Sequence, residues 1–491
     1  MILNRHCQLI RWMRGCNRVP FNTYTFLIFF IVLLIIYHSV KNWEYQKTVL
    51  LIASYLFYSA WNPLFVLLLI FSTMVDWLLA RKIFQAQTKS TKKWYLVISL
   101  AVNLGLLSYF KYGNFLLENS IILLGLFNID FKPASLDIIL PVGISFYTFQ
   151  TLSYTIDTYR GKIQPSKSFL DYALYVSFFP QLVAGPIVRA NDFLPQCKTP
   201  RNTSVDQFGW GLSLLTIGLF LKIIIADTIL APVVDKVYAA PEYFSSLETW
   251  TAILAFSGQI FADFSGYSTA AIGASLCLGF VLPDNFKAPY AALGFREFWQ
   301  RWHISLSTWL RDYLYISLGG NRISSIRTSI NLMITMLLGG LWHGASWLFV
   351  IWGGLHGLYL IIEHFITQRI KLEKPLSKMT QVLLIVLTFL IVSLTWVFFR
   401  AESLQDVITI FSNLHKSSSS HKPQFEGFEL ILALSTIVLL VSWHITTKKS
   451  SLETFFQKQH GIIKGLILTL MIMAIFLFAS GDNRAFIYFQ F

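Results

Sequence analysis

Apolar runs long enough to cross a bilayer recur along the whole sequence, at 24–40, 94–110, 211–232, 381–399 and 465–480 among others. A helical span needs about 20 mostly apolar residues, since a helix rises about 1.5 Å per residue across about 30 Å of hydrocarbon. Short charged clusters punctuate these runs. Residues 81–93 hold Arg81, Lys82, Lys89, Lys92 and Lys93 and no acid, and 369–378 and 448–464 are also lysine-rich. The positive-inside rule puts these clusters in the cytoplasm and the acid-leaning stretches 235–248 and 402–426 outside. Threading the runs through these loops predicts roughly twelve spans, with both termini on the outer face.

Some of the runs make poor simple spans. Residues 140–156 open with Pro141 and Gly143, and "SFFPQLVAGPIVR" carries Pro180, Gly185 and Pro186. "LLGGLWHGASWLFVIWGGLHG" is interrupted by glycines at 339, 340, 344, 353, 354 and 357. Irregular backbone at membrane depth is tolerated where protein or a water-filled cavity surrounds it. These stretches are therefore expected to be re-entrant and to line an interior that handles a polar molecule.

Composition agrees with the pattern. The 491 residues are 55% hydrophobic and only 13% charged, where soluble domains carry about a quarter charged residues. The net charge of +14 does not point to nucleic acid, because its basic residues sit in the short loops that membrane orientation and anionic lipid require. Cys7, Cys16, Cys197 and Cys277 are irregularly spaced and form no CxxC pair, so neither a disulfide framework nor a zinc motif is read. Arg5, Arg11, Arg14 and Arg18 precede the first span and argue against an outer N-terminus. Residues 1–18 are read as a non-native or disordered extension, with Val19 as an alternative start and 19–491 as one membrane-embedded domain.

An ionisable group inside a span costs about 2.5–3.5 kcal/mol on insertion scales, which makes each one a site candidate. His343 and His356 lie in the glycine-interrupted stretch, Asp263 in "FADFSGYS", and His303 in "EFWQRWHISLSTWLRDYLYISLGGNR". The last segment alternates Arg296, Arg301, Arg311 and Arg322 with aromatics and reads as an amphipathic helix at the cytoplasmic boundary. Each candidate also has a structural reading: a hydrogen-bonded core histidine, an interfacial anchor, an Asp263 that pairs with an arginine or caps an amide. A metal site is not expected, since His343, His356 and His364 lie 13 and 8 residues apart and no cysteine assists. A buried neutral imidazole suits general-base work on a hydroxyl attacking an acyl carbonyl. There is no G-x-S-x-G elbow, Walker loop or dinucleotide fingerprint. The residues alone support a histidine-dependent membrane enzyme or a transporter.

"FFPQLVAGPIVRANDFLPQ", "FADFSGYS", "FWQRWHISLSTWLRDYLYISLGGNR", "GGLWHGAS" and the closing "FIYFQF" together resemble the membrane-bound O-acyltransferase family, in its bacterial alginate O-acetyltransferase-like branch. The resemblance runs from about residue 21 to the C-terminus. It implies an all-α helical funnel with a tunnel between the two faces. His343 falls on the signature catalytic histidine, His303 on a second polar catalytic position, and His356, like Asp263, is taken as supporting. Arg301, Arg311 and Trp342 are the expected donor-binding residues, for acetyl-CoA as co-substrate with no tightly bound cofactor. The aromatic tail implies Tyr488 as an acyl carrier. The expected function is O-acetylation of an extracytoplasmic polysaccharide such as alginate, cellulose or peptidoglycan, from the inner membrane. The implied partners are membrane lipid and an outer SGNH-hydrolase-like transferase. D-alanyl transfer to a teichoic acid and a non-enzymatic transporter or flippase stay open beside it.

Overall fold

A computed structural model describes residues 20–134, 136–183, 185–370, 376–416, 424–449, 452–478, Arg484, Phe486 and Ile487. The N-terminal extension 1–18 and Tyr488 lie outside the described residues. Every regular element among the described residues is helical. Among the described residues seven helices are long and apolar enough to cross a membrane, Pro63–Gln85, Trp347–Arg369 and Lys378–Arg400 included, and Tyr24–Ser39 is a shorter apolar one. The protein is a multi-pass helical membrane protein. Roughly twelve spans were expected; seven meet this length and composition test.

The chain forms two compact units, one of residues 1–212 with 271–282, the other of 213–270 with 283–491. In the first unit, helices begin where side chains can cap them. Thr23 accepts from the Phe26 amide, Asn42 from Glu44 and Tyr45, and Asn62 from Leu64, just ahead of Tyr24–Ser39, Trp43–Ser59 and Pro63–Gln85. Each cap satisfies amides that helix geometry leaves open. Asp76 is fully buried on Pro63–Gln85. Its carboxylate accepts from the Ser99 hydroxyl at 2.6 Å and from the Asn103 amide at 2.8 and 3.0 Å. Thr151, on Ile144–Tyr159, donates to the other end of the Asn103 amide at 3.1 Å. A buried polar group in this setting must find its partners inside the protein, and this network ties three helices together. The "SFFPQLVAGPIVR" stretch is irregular, as expected: Phe169–Ser177 stops, a single turn Phe179–Leu182 follows, and Phe178, Ile187 and Val188 are buried.

The second unit carries the site candidates. Val205–Phe220 runs on as a π-helical segment, Leu221–Leu230, and then Ala231–Ala239. It crosses Ser246–Cys277 where Gly218 meets Gly266; a Cβ on either would sit within 2.7 Å of the other helix's backbone oxygen. Small residues let helices approach this closely.

The glycine-interrupted stretch differs from expectation. Only its turn is irregular. Ser325–His343 and Trp347–Arg369 are continuous helices forming a hairpin, with Gly339 and Gly340 inside the first and Gly353, Gly354 and Gly357 inside the second. The glycines serve contact between helices rather than breakage. A Cβ at Gly340 would overlap the Phe349 carbonyl and press on the Gly353 backbone, and one at Gly353 would overlap the Met336 carbonyl. Overpacking of this kind costs about 1–3 kcal/mol. Gly340→Ala is thus expected to lower the thermal midpoint in detergent measurably and to impair activity, since it pries open the hairpin three residues before His343. An unchanged midpoint would show that the two helices are free to part.

Candidate active site

His343 is the last residue of its helix, and Gly344 leaves in extended conformation. A side chain at 344 would collide with the Phe349 ring, so the tight turn needs glycine there. Ser346 accepts from the Leu348 amide and starts the returning helix. The turn therefore fixes His343 at the tip of a rigid hairpin, where it is 3% exposed. Its ring lies 5.0 Å from Trp342, 5.0 Å from Trp352 and 5.3 Å from Phe399, centroid to centroid. All three contacts are edge-on, which suits aromatic quadrupoles.

His303 reaches the same cluster from another element. The predicted continuous amphipathic helix is broken there into Phe295–Arg301, Ile304–Trp309 and a π-helical turn, Leu310–Tyr315. The reason is a rival set of hydrogen bonds. Arg301's carbonyl accepts from the Lys287 amide, the Ile304 amide donates to the Asn285 carbonyl, and Ser305 donates twice to the Asn285 side chain. His303 absorbs the break with φ of 42°. A left-handed conformation in a residue other than glycine costs on the order of 1–3 kcal/mol and persists where its surroundings enforce it. Its fully buried ring stands 4.5 Å from Phe264 and 5.9 Å from Trp342. Trp342 thus touches both His303 and His343.

His356 is fully buried one helical turn past Trp352 and packs on it at 4.8 Å, with Trp299 at 5.2 Å. Among the described residues, neither of its ring nitrogens has a hydrogen-bond partner. Three histidines that are far apart in sequence therefore join one aromatic cluster, with tryptophans between them.

The other expected residues are placed differently. Arg301 is occupied: it pairs with Glu297 at 2.9 Å and donates to the Lys287 carbonyl at 2.9 Å. Lys448 also pairs with Glu297, at 3.1 Å. Burial alone would raise the Glu297 carboxyl, but the Leu293 amide, Lys448 and Arg301 outweigh it and hold it below the ordinary glutamate value. The stabilisation from this clasp is present at neutral pH and is lost only as pH falls through that lowered value. Arg311 is largely exposed and pairs with Asp312 at 2.7 Å. Asp263, 2% exposed, is salt-bridged to Lys222 and also accepts from the Ile487 amide at 2.8 Å. Its expected alternatives were an arginine partner or an amide to cap; a lysine and an amide are both there.

Sequence reasoning missed two groups. His444, 3% exposed on Gly427–Thr447, faces Phe261 at 4.5 Å and Tyr290 at 5.5 Å. A histidine closing the apolar run in "LLVSWHITT" was the available signal. Lys222 was hidden inside "LFLKIIIAD", where a single cation reads as a snorkelling side chain.

The sequence profile of the membrane-bound O-acyltransferase family matches residues 163–401. That interval contains Asp263, His303, His343 and His356. A probable alginate O-acetylase of Pseudomonas aeruginosa is 42% identical over 392 residues, covering 78% of this chain and 72% of that protein. One from Pseudomonas putida is 35% identical over 494 residues, covering 96% of this chain and all of that protein. A peptidoglycan O-acetyltransferase of Helicobacter pylori is 38% identical, covering 76% and 74%. The chain belongs to the membrane-bound O-acyltransferase family. A membrane-bound O-acyltransferase is an enzyme, so the transporter reading of the residues falls away. In this acyltransferase the hairpin tip and the break at His303 are the places where sequence motif and buried polar chemistry coincide.

Proposed function

We propose that this acyltransferase moves an acetyl group from cytosolic acetyl-CoA across the bacterial inner membrane for O-acetylation of an extracytoplasmic polysaccharide. The observation that carries the reading is His343, held buried by Trp342, Trp352 and Phe399 at the end of the hairpin. The names of the relatives, alginate O-acetylase and peptidoglycan O-acetyltransferase, support acetyl as the group and a polysaccharide as the acceptor. His343 takes the proton of the attacking hydroxyl as a C–O bond forms at the acyl carbon. The C–S bond then breaks, and the departing thiolate recovers the proton from the imidazolium. His303 is the second catalytic group, and His356 and Asp263 support the pair. Tyr488 is the first acceptor, and its ester is collected outside by an SGNH-hydrolase-like transferase. Both chain ends then lie on the outer face, with 19–491 acting as a single domain.

Arg301, Arg311 and Trp342 hold the donor. A guanidinium grips phosphate through paired donors, and a hydrogen bond to a charged group is worth about 1.5–3 kcal/mol. Arg311→Gln is expected to raise the KM for acetyl-CoA about tenfold or more while leaving kcat near that of the parent enzyme. Arg311 is the cleaner test, because Arg301 is also part of the Glu297 clasp. The assay supplies radiolabelled acetyl-CoA to the cytoplasmic face of sealed vesicles and follows label in polymer on the other side. An acetyl-CoA dependence untouched by Arg311→Gln would remove it from the donor site. Polymer that stays unlabelled while another acyl donor labels it would overturn the acetyl reading itself.

A further inference from the structure

Lys222 and Asp227 sit five residues apart and form an ion pair at 2.9 Å. In a regular α-helix, residues five apart point about 140° away from each other, at 100° per residue. They meet here because Leu221–Leu230 is π-helical, and its i to i+5 hydrogen bonding brings such residues into line. The Thr228 hydroxyl donates to the Ile223 carbonyl over the same five-residue step. A ten-residue run of this geometry is rare, and π segments concentrate at functional sites. What this one achieves is to aim the buried Lys222 at Asp263 on the neighbouring helix Ser246–Cys277.

Lys222 thus stands between two buried carboxyl groups, Asp227 and Asp263. The backbone amide of Ile487 donates to the second of these, Asp263, at 2.8 Å. The contact is made through the main chain, so it grips the C-terminal segment whatever side chain stands at 487. Phe486 adds a ring packed at 4.7 Å on Tyr267 and 5.4 Å on Phe264. Phe264 in turn lies 4.5 Å from His303. Nearer the surface, Arg484 pairs with Asp235 at 2.6 Å, and Arg400 holds the other oxygen of that carboxylate at 3.1 Å. The tail is therefore pinned at two points, with an aromatic wedge between them, one ring away from His303.

We infer that Asp263, oriented by Lys222, is a positioning residue that tethers the C-terminal segment through the Ile487 amide and so registers the residue that follows it for acyl loading. The tether itself stands on these contacts, and its purpose rests on the carrier reading of Tyr488. An amide-to-carboxylate bond is charge-assisted and strong, but it is one bond. The segment can be held for loading and still be released when the ester is presented outside.

The test is hydrogen–deuterium exchange on the full-length protein in nanodiscs, read on C-terminal peptides, with mass spectrometry of O-acetylated Tyr488 in the same preparations. Asp263→Ala removes the acceptor and leaves Lys222 paired with Asp227, so no buried cation is stranded. It is expected to speed exchange of the Ile487 amide by about tenfold or more, to leave peptides of the 325–369 hairpin unchanged, and to reduce acetyl-Tyr488 in parallel. Asp263→Asn keeps an acceptor oxygen without the charge and should fall between the two. It also decides the matter should the alanine variant fail to fold. Unchanged Ile487 protection in the variant that folds overturns the tether. Lost protection with polymer acetylation intact confirms the tether and overturns the carrier reading instead.

Discussion

Alanine in place of His343 is expected to abolish acyl transfer, with a loss of about 10²–10⁴-fold, the usual worth of a positioned general base. The variant should still insert and fold. His343 ends its helix rather than standing within it, and the glycine contacts that join the hairpin lie at 340 and 353. The vacated space would be bounded by Trp342, Trp352 and Phe399, and the contact of Trp352 with Phe399 at 5.3 Å does not depend on the imidazole. Glutamine at the same position fills most of that volume and carries no base, so it should be as inactive as alanine. Membrane abundance, detergent melting and vesicle transfer rates would be measured together. Activity above about a tenth of the parent's, at normal abundance, is incompatible with a base worth 10²-fold. His303→Ala should be comparably severe in kcat. If it raises only the acetyl-CoA requirement, His303 belongs with the donor-binding residues.

The second large effect is expected from Tyr488→Phe, which deletes one oxygen and keeps the ring. A phenol with a pKa of about 10 is a weak nucleophile until a base takes its proton, so the carrier role depends on a base close by. Arg484, Phe486 and Ile487 bring the tail to Asp263 and, through Phe264, to within one ring of His303. Polymer acetylation should fall almost to background with normal protein abundance. The readout is label in polymer, because transfer of acetyl-CoA's acyl group to water has no need of a carrier. A fully active phenylalanine variant would reduce the tail to a packing element.

The membrane class and the burial of His303, His343 and His356 were legible in the sequence. Apolar runs and buried ionisable residues are strong signals there, because lipid penalises both exposed backbone and unpaired charge. The pairing of His303 with His343 around Trp342 was not legible from pattern, since 40 residues separate them and only the resemblance joined them. The glycines at 339–357 were misread for a physical reason. In water-soluble helices glycine is a weak point, whereas between apolar helices its missing side chain permits backbone contact. Asp76 escaped notice because one acid in "IFSTMVDWLL" has no local partner; its partners, Ser99 and Asn103, come from another helix. Lys222 and Asp227 were invisible as a pair because a scan at 3.6-residue period never compares positions five apart.

That five-residue spacing has a consequence for chain length. A π turn holds about one residue more than the α turn it replaces. Deleting a single residue between Lys222 and Asp227, Ile224 for instance, would let this stretch relax to ordinary helix while the segments before and after keep their faces. Such a shortened protein should fold and insert with little penalty. Its ammonium and carboxylate would be four apart, a spacing an α-helix accommodates by itself, and the lysine would no longer be aimed at Asp263 on the second helix. Deletion scanning across 221–230 would thus reveal a stretch that tolerates being cut for assembly and does not tolerate it for turnover.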